Sequence, residues 1–311
     1  MNRIIIPLEQ MGAKFTCNKD FKLPITVTGA LDNGFTLPIN YKMPVPSAQV
    51  KSSIILAALT GRGNSVIIEN KETRDNTESM LKDFGVEVKI SKNKMNEKKI
   101  TIGGVSHIGA KSINVPGDPS SAAFIVVAAL ITKNSEVVIE GIFYSKFRLK
   151  IFEVLKKMGA NIEIIRKKNT QFCDIYVKYS KLKNVAINTK LNPSLIDEFP
   201  ILSVAAANAT GKMEMNSLGE LRLKESDRLR AIYEGLNKCG VKATIKNNDL
   251  IVYGTKNIVG NCTINSDQDH RIAMSFNILS LIAEKKIRVI GNNSITTSFP
   301  EFFYTLNSLF K

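Results

Sequence analysis

The sequence repeats one pattern at intervals of roughly 75 residues, and this repeat limits the folds that the chain can adopt. In the segments EQMGAKF, KDFGVEVKI, KKMGANIEI and NKCGVKATI, a helical pattern ends at a glycine and the alternation of a strand follows. Glycine is the expected helix stop because it adopts the left-handed conformation at little steric cost. These stops are Gly12, Gly85, Gly159 and Gly240. The period is too long for a solenoid unit and indicates a supersecondary module repeated around a domain axis.

A second series of helical patterns recurs in parallel with the first. Each member opens with polar residues and continues as a helix rich in small apolar residues: SAQVKSSIILAAL from Ser47, SSAAFIVVAAL from Ser120, DEFPILSVAAA from Asp197 and DHRIAMSFNILSLIA from Asp269. A helix that is apolar on all sides is typical of a protein interior. We therefore predict an α/β fold in which these helices pack inside and the sheets lie outside them, with the polar openings facing one region.

The segment LRLKESDRLR crowds charged residues at a predicted strand-to-helix turn. The apolar residues that follow recur at helical spacing, so the helix should begin near Ser226 or Asp227. One interpretation is a solvated helix face, on which charge pairs three residues apart contribute a few tenths of a kcal/mol. The other is an anion site, because a helix N-terminus presents free N–H groups and the positive end of the helix dipole.

Two openings of the apolar helices carry side chains suited to acid–base chemistry and anion binding. In PSLIDEFP, Asp197 either caps the following helix or serves as a general base at the mouth of a basic cleft. In DQDHRIAMSF, Asp269 is a candidate cap that precedes His270 and Arg271. An arginine at the start of a buried helix requires an anionic partner, because its desolvation is otherwise costly.

Two further helix openings offer hydrogen-bond donors. In PSAQVKS, the side chains of Ser47, Gln49 and Lys51 either belong to a capped polar loop or bind a phosphate or a sugar hydroxyl. In ETRDNTE, Arg74 precedes a helix whose first turn contains Glu78. Each motif is a weak signal alone. Together they predict a cleft for ligands that carry several negative charges.

The formal net charge of +15 allows nucleic acid, an acidic membrane surface or small polyanionic substrates as partners. Lysine is abundant throughout, and no lysine block is interleaved with aromatic residues, so nucleic acid is a minor interpretation.

The sequence has two histidines, which excludes a histidine-rich metal site. Because no two cysteines have the spacing of a zinc or redox motif, we expect reduced, mostly buried thiols. The start, MNRIIIPLEQMG, has too short an apolar run for a signal peptide or membrane anchor, so we expect a cytoplasmic protein.

Seven motifs resemble, in their order and spacing, those of the 5-enolpyruvylshikimate-3-phosphate synthases, or 3-phosphoshikimate 1-carboxyvinyltransferases. They are SAQVKSSIILAAL, TRDNTE, VPGDPSSAAF, LIDEFPILSVAAA, LRLKESDR, DHRIAMSF and TTSFPEFF. The resemblance implies the enolpyruvyl transferase fold, a two-domain inside-out α/β barrel of repeated βαβαββ units. Residues 1–113 would form an incomplete first domain of about two units, and residues 114–311 a second domain of three.

The same resemblance implies a reaction of the shikimate pathway, which leads through chorismate to the aromatic amino acids. The carboxyvinyl group of phosphoenolpyruvate would pass to the 5-hydroxyl of shikimate 3-phosphate, with release of phosphate. It implies no metal and no organic cofactor. We expect a monomer that binds these two small substrates and neither nucleic acid nor membrane.

The resemblance also assigns roles to single residues. Asp197 would take the proton of the 5-hydroxyl, and Glu225 would protonate the methylene carbon of phosphoenolpyruvate. The residues expected to hold shikimate 3-phosphate are Ser47, Ala48, Gln49, Arg74, Asp197 and Lys224. Those expected to hold phosphoenolpyruvate are Gln49, Arg228 and Arg271, supported by Asp269 and His270. Ala48 and Thr297 are similar to the residues of the glyphosate-tolerant subgroup.

The chain departs from the family pattern at its start. The family has a long preceding segment with Pro-Gly-Asp-Lys-Ser and Asn-Ser-Gly-Thr motifs and an Arg-Pro pair. We therefore expect a fragment or a mis-set start, with weak or no activity alone. Two alternatives are a non-catalytic or split-enzyme binding protein of the same fold and a UDP-N-acetylglucosamine carboxyvinyltransferase. The reactive-loop cysteine and nucleotide-sugar motifs of the latter are not found at matching positions.

Overall fold

The computed structural model describes residues 1–30, 34–105, 107–168 and 170–309. The described residues form two compact units, one over Met1–Asn114 and one from Val115 onward. The first unit begins with helix α1 (Asn2–Gln10), followed by the antiparallel pair β1 (Lys14–Thr16) and β2 (Thr26–Thr28). No helix in the described part of the chain has the length and apolar content that a bilayer crossing requires.

The remainder of the first unit is one βαβαββ module. Its elements are β3 (Asn40–Lys42), α2 (Ala48–Ala58), β4 (Asn64–Glu69), α3 (Asn76–Asp83), β5 (Val88–Lys92) and β6 (Lys98–Gly103). Strands β3 and β4 pair in parallel across α2, and the sheet order is β3-β4-β6-β5. Burial alternates along β4, so one face of the sheet packs Ile67, Ile100 and Ile102 into the core with Ile54 of α2.

The second unit repeats this module. The first copy contains α4 (Pro119–Ile131), β7 (Glu136–Phe143), α5 (Lys150–Lys157), β8 (Asn161–Arg166) and β9 (Phe172–Lys178). The second contains α6 (Asn192–Leu195), α7 (Phe199–Ala207), β10 (Lys212–Met215), α8 (Arg228–Lys238), β11 (Ala243–Lys246) and β12 (Asp249–Tyr253). Parallel bridges open the copies, joining Gly117 to Ile142 and Lys183 to Thr210. The sheets have the orders β7-β9-β8 and β10-β12-β11.

The last module closes the core of the second unit. It contains β13 (Cys262–Asn265), α9 (His270–Leu279), β14 (Ile287–Ile290) and α10 (Phe302–Ser308), with β13 and β14 parallel. The apolar helices α4, α7 and α9 pack against one another, and every residue of α7 is buried. Strands β7, β9, β12 and β14 contact these helices from outside. The predicted α/β fold with inner helices and outer sheets is confirmed.

The four glycine stops adopt the conformation that the sequence requires of them. Gly12, Gly85, Gly159 and Gly240 each directly follow the C-cap residue of a helix and have φ of 96°, 82°, 95° and 84°. An L-residue would be strained at each of these positions. The glycines therefore end one helix per repeat and release the chain toward the next strand.

Helix α2 differs from the prediction that all four apolar helices are buried on every side. Its Val50, Ile54 and Ile55 are buried, but Leu56 is 53% exposed. Only one flank of α2 therefore packs against the described residues of the first unit.

Candidate active site

Arg228 is the centre of the charged residues that the sequence singled out in the second unit. Its side chain is fully buried, and each of its nitrogens donates to a different carboxylate. Nε contacts Oδ2 of Asp269 at 2.8 Å, Nη1 contacts Oδ1 of Asp197 at 3.2 Å, and Nη2 contacts Oε2 of Glu225 at 2.5 Å. Charge-assisted contacts of this kind are among the stronger hydrogen bonds in proteins. Arg228 thus joins three segments that are distant in sequence.

The segment around Arg228 folds as a strand-to-helix turn. After β10 the chain forms a 3-10 turn at Gly219–Leu223, and α8 begins at Arg228, as predicted to within two residues. Asp227 caps the helix by accepting from the backbone N–H of Arg230 at 3.0 Å, and it pairs with Arg222 at 2.7 Å. The interpretation of this segment as a solvated helix face is therefore wrong for Arg228. It holds for Arg230, which is exposed and pairs with Glu234.

Asp269 links the last apolar helix to this centre. Its Oδ1 caps α9 by accepting from the backbone N–H groups of Arg271 at 2.9 Å and Ile272 at 3.4 Å, which confirms the predicted cap. Its Oδ2 accepts from Arg228 and, at 3.1 Å, from the hydroxyl of Ser226. Burial opposes the ionisation of Asp269, but the Arg228 guanidinium and the capping N–H groups hold its pKa below the usual value. Asp269 is therefore ionised at neutral pH.

Asp197 is surrounded by cations. Its Oδ1 lies 3.5 Å from Nζ of Lys224, and its Oδ2 lies 4.0 Å from Nη2 of Arg271. Arg271 also donates from Nη1 to the main-chain carbonyl of Asp197 at 3.0 Å. The interpretation of Asp197 as a helix cap is wrong, because the N-cap position of α7 is Glu198 and no side-chain cap bond forms there. The anion that Arg271 requires is supplied in part by Asp197.

His270 opens α9 beside Arg271 and Asp269. Partial burial lowers the pKa of its imidazole, and the positive charges of Arg271 and Arg228 lower it further, against the opposing effect of Asp269. His270 is therefore neutral at pH 7, and its ring nitrogens provide one donor and one acceptor.

We expect the folded protein to lose stability through His270 as the pH falls below about 6.5, the ordinary histidine value. The unfolded chain binds the proton more readily than the folded one, so protonation favours unfolding in this range. The His270→Asn variant should flatten the fall in the denaturation midpoint between about pH 7 and pH 5. Proton NMR should show the His270 ring titrating below the ordinary value. The variant His107→Asn removes the other histidine and so assigns the two ring signals. A pKa of His270 at or above the ordinary histidine value would contradict the expectation.

The candidate residues of the first unit lie at the N-terminal ends of α2 and α3. Ser47 caps α2 by accepting from the backbone N–H of Val50 at 3.4 Å, Ala48 is the first helical residue, and Gln49 is exposed. Half-buried Arg74 lies in the loop before α3. The hydroxyls of Ser52 and Thr77 are 2.6 Å apart and join the starts of the two helices.

Two features of the structure were not predicted from the sequence. The sequence predicts Lys51 as a ligand-binding donor or as part of a polar loop, but it is fully buried and pairs with Glu69 and Glu78. Beside Asp197, the buried Glu198 accepts from Ser120 of α4, and Ser120 in turn accepts from Nη2 of Arg148 at 2.8 Å. Nothing in the segment SKFRLK distinguishes Arg148 from the neighbouring lysines, since only its tertiary contacts do so.

Over almost its whole length, the chain is similar to proteins of one family. A sequence profile of EPSP synthase (3-phosphoshikimate 1-carboxyvinyltransferase) matches residues 1–306. The 3-phosphoshikimate 1-carboxyvinyltransferase of Paramagnetospirillum magneticum is 42% identical over 313 residues, which cover 99% of this chain and 70% of the relative. That of Petrotoga mobilis is 43% identical over 307 residues, 97% of this chain and 69% of the relative.

The solved structures agree with the sequence relatives. An EPSP synthase from Acinetobacter baumannii is 36% identical, with a TM-score of 0.84, and the match covers 99% of this chain and 70% of that one. A second structure of the enzyme from the same organism has a TM-score of 0.81 at 35% identity. In both sequence and fold, this chain belongs to the EPSP synthase family.

Proposed function

We propose that this chain transfers the carboxyvinyl group of phosphoenolpyruvate to the 5-hydroxyl of shikimate 3-phosphate and releases phosphate. The observation that carries the proposal is the cluster in which Lys224, Arg228 and Arg271 surround Asp197. A carboxylate among cations suits a reaction that removes a hydroxyl proton beside anionic substrates. The enzymatic names of the relatives support the same reaction.

In this proposal Asp197 is the base and Glu225 the acid. Addition needs a proton removed from the 5-hydroxyl and a proton delivered to the methylene carbon of phosphoenolpyruvate. Elimination then breaks the C–O bond to phosphate and removes a proton from the methyl group that the addition formed, which regenerates the double bond in the product. Both carboxylates contact Arg228, but their surroundings differ, since Asp197 is half-buried among cations and the Glu225 side chain is 54% exposed. Two carboxylates in different environments can serve opposite roles.

The remaining residues would hold the two anionic substrates. Shikimate 3-phosphate would contact Ser47, Ala48, Gln49, Arg74, Asp197 and Lys224, and phosphoenolpyruvate would contact Gln49, Arg228 and Arg271. The guanidinium of Arg228 already serves three carboxylates, so its contact with phosphoenolpyruvate would replace one of them. Glu225 is the most exposed of the three and is the one that we expect to move away.

The test is phosphate release by the purified 311-residue chain supplied with both substrates. We expect release that depends on shikimate 3-phosphate and does not occur with UDP-N-acetylglucosamine as acceptor. Calorimetry with shikimate 3-phosphate is run in parallel. Binding without release would favour the non-catalytic or split-enzyme alternative. Sedimentation of the same sample tests the expected monomer.

We further propose that the chain belongs to the glyphosate-tolerant subgroup, on the basis of Ala48 and Thr297. Thr297 ends the 3-10 turn Asn292–Thr297, where its hydroxyl donates to the carbonyl of Ser294 at 2.7 Å. We expect half-inhibition only at glyphosate concentrations many times the KM for phosphoenolpyruvate. The family resemblance implies a lysine at the position of Thr297 in the other subgroup, and the Thr297→Lys variant should lower that concentration. Half-inhibition of the unmodified chain near the KM contradicts the assignment.

A further inference from the structure

A buried ion cluster includes residues from the first turns of α2 and α3, the helices whose N-terminal ends carry the candidate substrate residues of the first unit. We define it by its two lysines and two glutamates, Lys51, Glu69, Glu78 and Lys98. Nζ of Lys51 lies 2.8 Å from Oε1 of Glu78 and 3.3 Å from Oε2 of Glu69. Nζ of Lys98 lies 3.4 Å and 3.6 Å from the same two oxygens. Each cation therefore bridges both carboxylates.

The cluster joins four separate elements of the module. Lys51 belongs to the first turn of α2, Glu69 ends β4, Glu78 lies in the first turn of α3, and Lys98 begins β6. The side chains of Lys51, Glu69 and Glu78 are at most 1% exposed. Burying four charged groups is costly, and apolar residues of similar volume often stabilise a fold at least as well. Packing of the helices against the sheet therefore does not by itself explain the cluster.

The cluster extends directly to the loop that carries Arg74. The buried hydroxyl of Thr73, the preceding residue, donates to Oε1 of Glu69 at 2.5 Å. The other oxygen of Glu69 pairs with Lys51, one turn after Ser47. Two polar contacts, Lys51 with Glu69 and Glu69 with Thr73, thus link the first turn of α2 to the residue next to Arg74.

We propose that the buried ion cluster is a positioning device that holds the Arg74 loop in register with the N-terminus of α2 to receive the phosphate of shikimate 3-phosphate. Lys51, Glu69 and Glu78 are its positioning residues. The inference rests on the proposed function, because Ser47, Gln49 and Arg74 contact that substrate only in that proposal. Ion pairs suit this task because they fix register through directional contacts, whereas an apolar core tolerates sliding.

The test uses the near-isosteric variant Glu78→Gln in the full chain. It keeps the side-chain volume and removes the charge that both lysines share. We expect faster amide hydrogen exchange in residues 70–75 than in the unmodified chain, with exchange in β4 and β6 little changed. We expect affinity for shikimate 3-phosphate to fall between about tenfold and a hundredfold, because a misplacement of about 1 Å can cost up to about a hundredfold. Affinity for phosphoenolpyruvate should fall by less, because two of its three proposed contacts, Arg228 and Arg271, lie in the second unit.

The matched control is Glu97→Gln, which removes the partner of Lys42 at 2.7 Å in the same unit. It should leave both the exchange of residues 70–75 and substrate affinity unchanged. Should Glu78→Gln fail to fold, Lys51→Met paired with Glu78→Met removes one charge of each sign and replaces both with apolar volume. In either folded variant, a lower denaturation midpoint with unchanged loop exchange overturns the proposal.

Hydrogen exchange separates this inference from the proposed function. If the unmodified chain binds no shikimate 3-phosphate, the proposed function fails, and faster exchange in residues 70–75 of Glu78→Gln still supports the positioning role. If the unmodified chain binds and the variant binds equally well, the proposed function stands and the positioning role is overturned.

Discussion

Replacing Asp197 by asparagine is expected to reduce turnover by about 10²–10⁴-fold, the range typical of a lost general base. The amide keeps the size of the carboxylate and can still accept hydrogen bonds from Lys224 and Arg228, which lie within 3.5 Å of Oδ1. It cannot take the proton of the substrate hydroxyl. Phosphate release measures the loss, and calorimetry with shikimate 3-phosphate shows whether binding is retained.

Asp174→Asn is the matched control for this variant. Asp174 has a side-chain exposure of 13%, against 14% for Asp197, and it also pairs with a lysine, Lys167, at 3.1 Å. It belongs to β9 and is not among the three carboxylates that Arg228 contacts in the described residues. We expect near-normal turnover from Asp174→Asn. If Asp197→Asn kept most of the activity while folded and able to bind substrate, another group would have to be the base.

Local signals in the sequence were sufficient for the repeat and for the ends of its helices. Gly85 and Gly159 could be identified as helix stops because a left-handed residue is a requirement of the backbone itself. Asp269 could be identified as a cap for the same kind of reason, since its partners are the N–H groups of the next turn. The alternation of inner helices and outer strands followed from burial patterns that each element carries alone.

The pairing of charges could not be predicted locally. Lys51 and Gln49 are neighbours in one polar motif, yet Lys51 is buried against two glutamates and Gln49 is exposed. The partner of Lys51 depends on where β4 and α3 pack, which the motif does not contain. Arg228 likewise meets Asp197 and Asp269, which are 31 and 41 residues away in the chain.

The catalytic and binding roles of single residues could not be predicted from local signals. Composition and spacing predicted a cleft for polyanionic ligands, and they left the cap and the base as two open alternatives for Asp197. Resemblance to a family supplied the substrates and the direction of each proton transfer. The structure adds that Asp197, Lys224, Glu225, Arg228, Asp269 and Arg271 form one connected group. The distinct roles of Asp197 and Glu225 stay predictions until the variants are measured.

Arg228→Met is expected to destabilise the protein by about 3–5 kcal/mol, the usual cost of breaking a buried ion pair by removing one partner. Methionine fills much of the space but leaves Asp269 buried with its charge uncompensated. Urea denaturation at neutral pH measures the difference between variant and unmodified chain. Arg230→Met is the control, because Arg230 is exposed and its pair with Glu234 lies on the outer face of the same helix, so we expect a far smaller effect.

The pH dependence of this loss identifies its electrostatic cause. In the unmodified chain, the lowered pKa of Asp269 contributes stability that is present above about 3.9, the ordinary aspartate value, and is lost as the pH falls through the folded value. In Arg228→Met, protonation of the buried Asp269 carboxylate instead removes its uncompensated charge. The difference in unfolding free energy should therefore narrow as the pH falls toward about 4 and below. A difference that stays constant with pH would mean that Arg228 stabilises the protein through packing rather than charge.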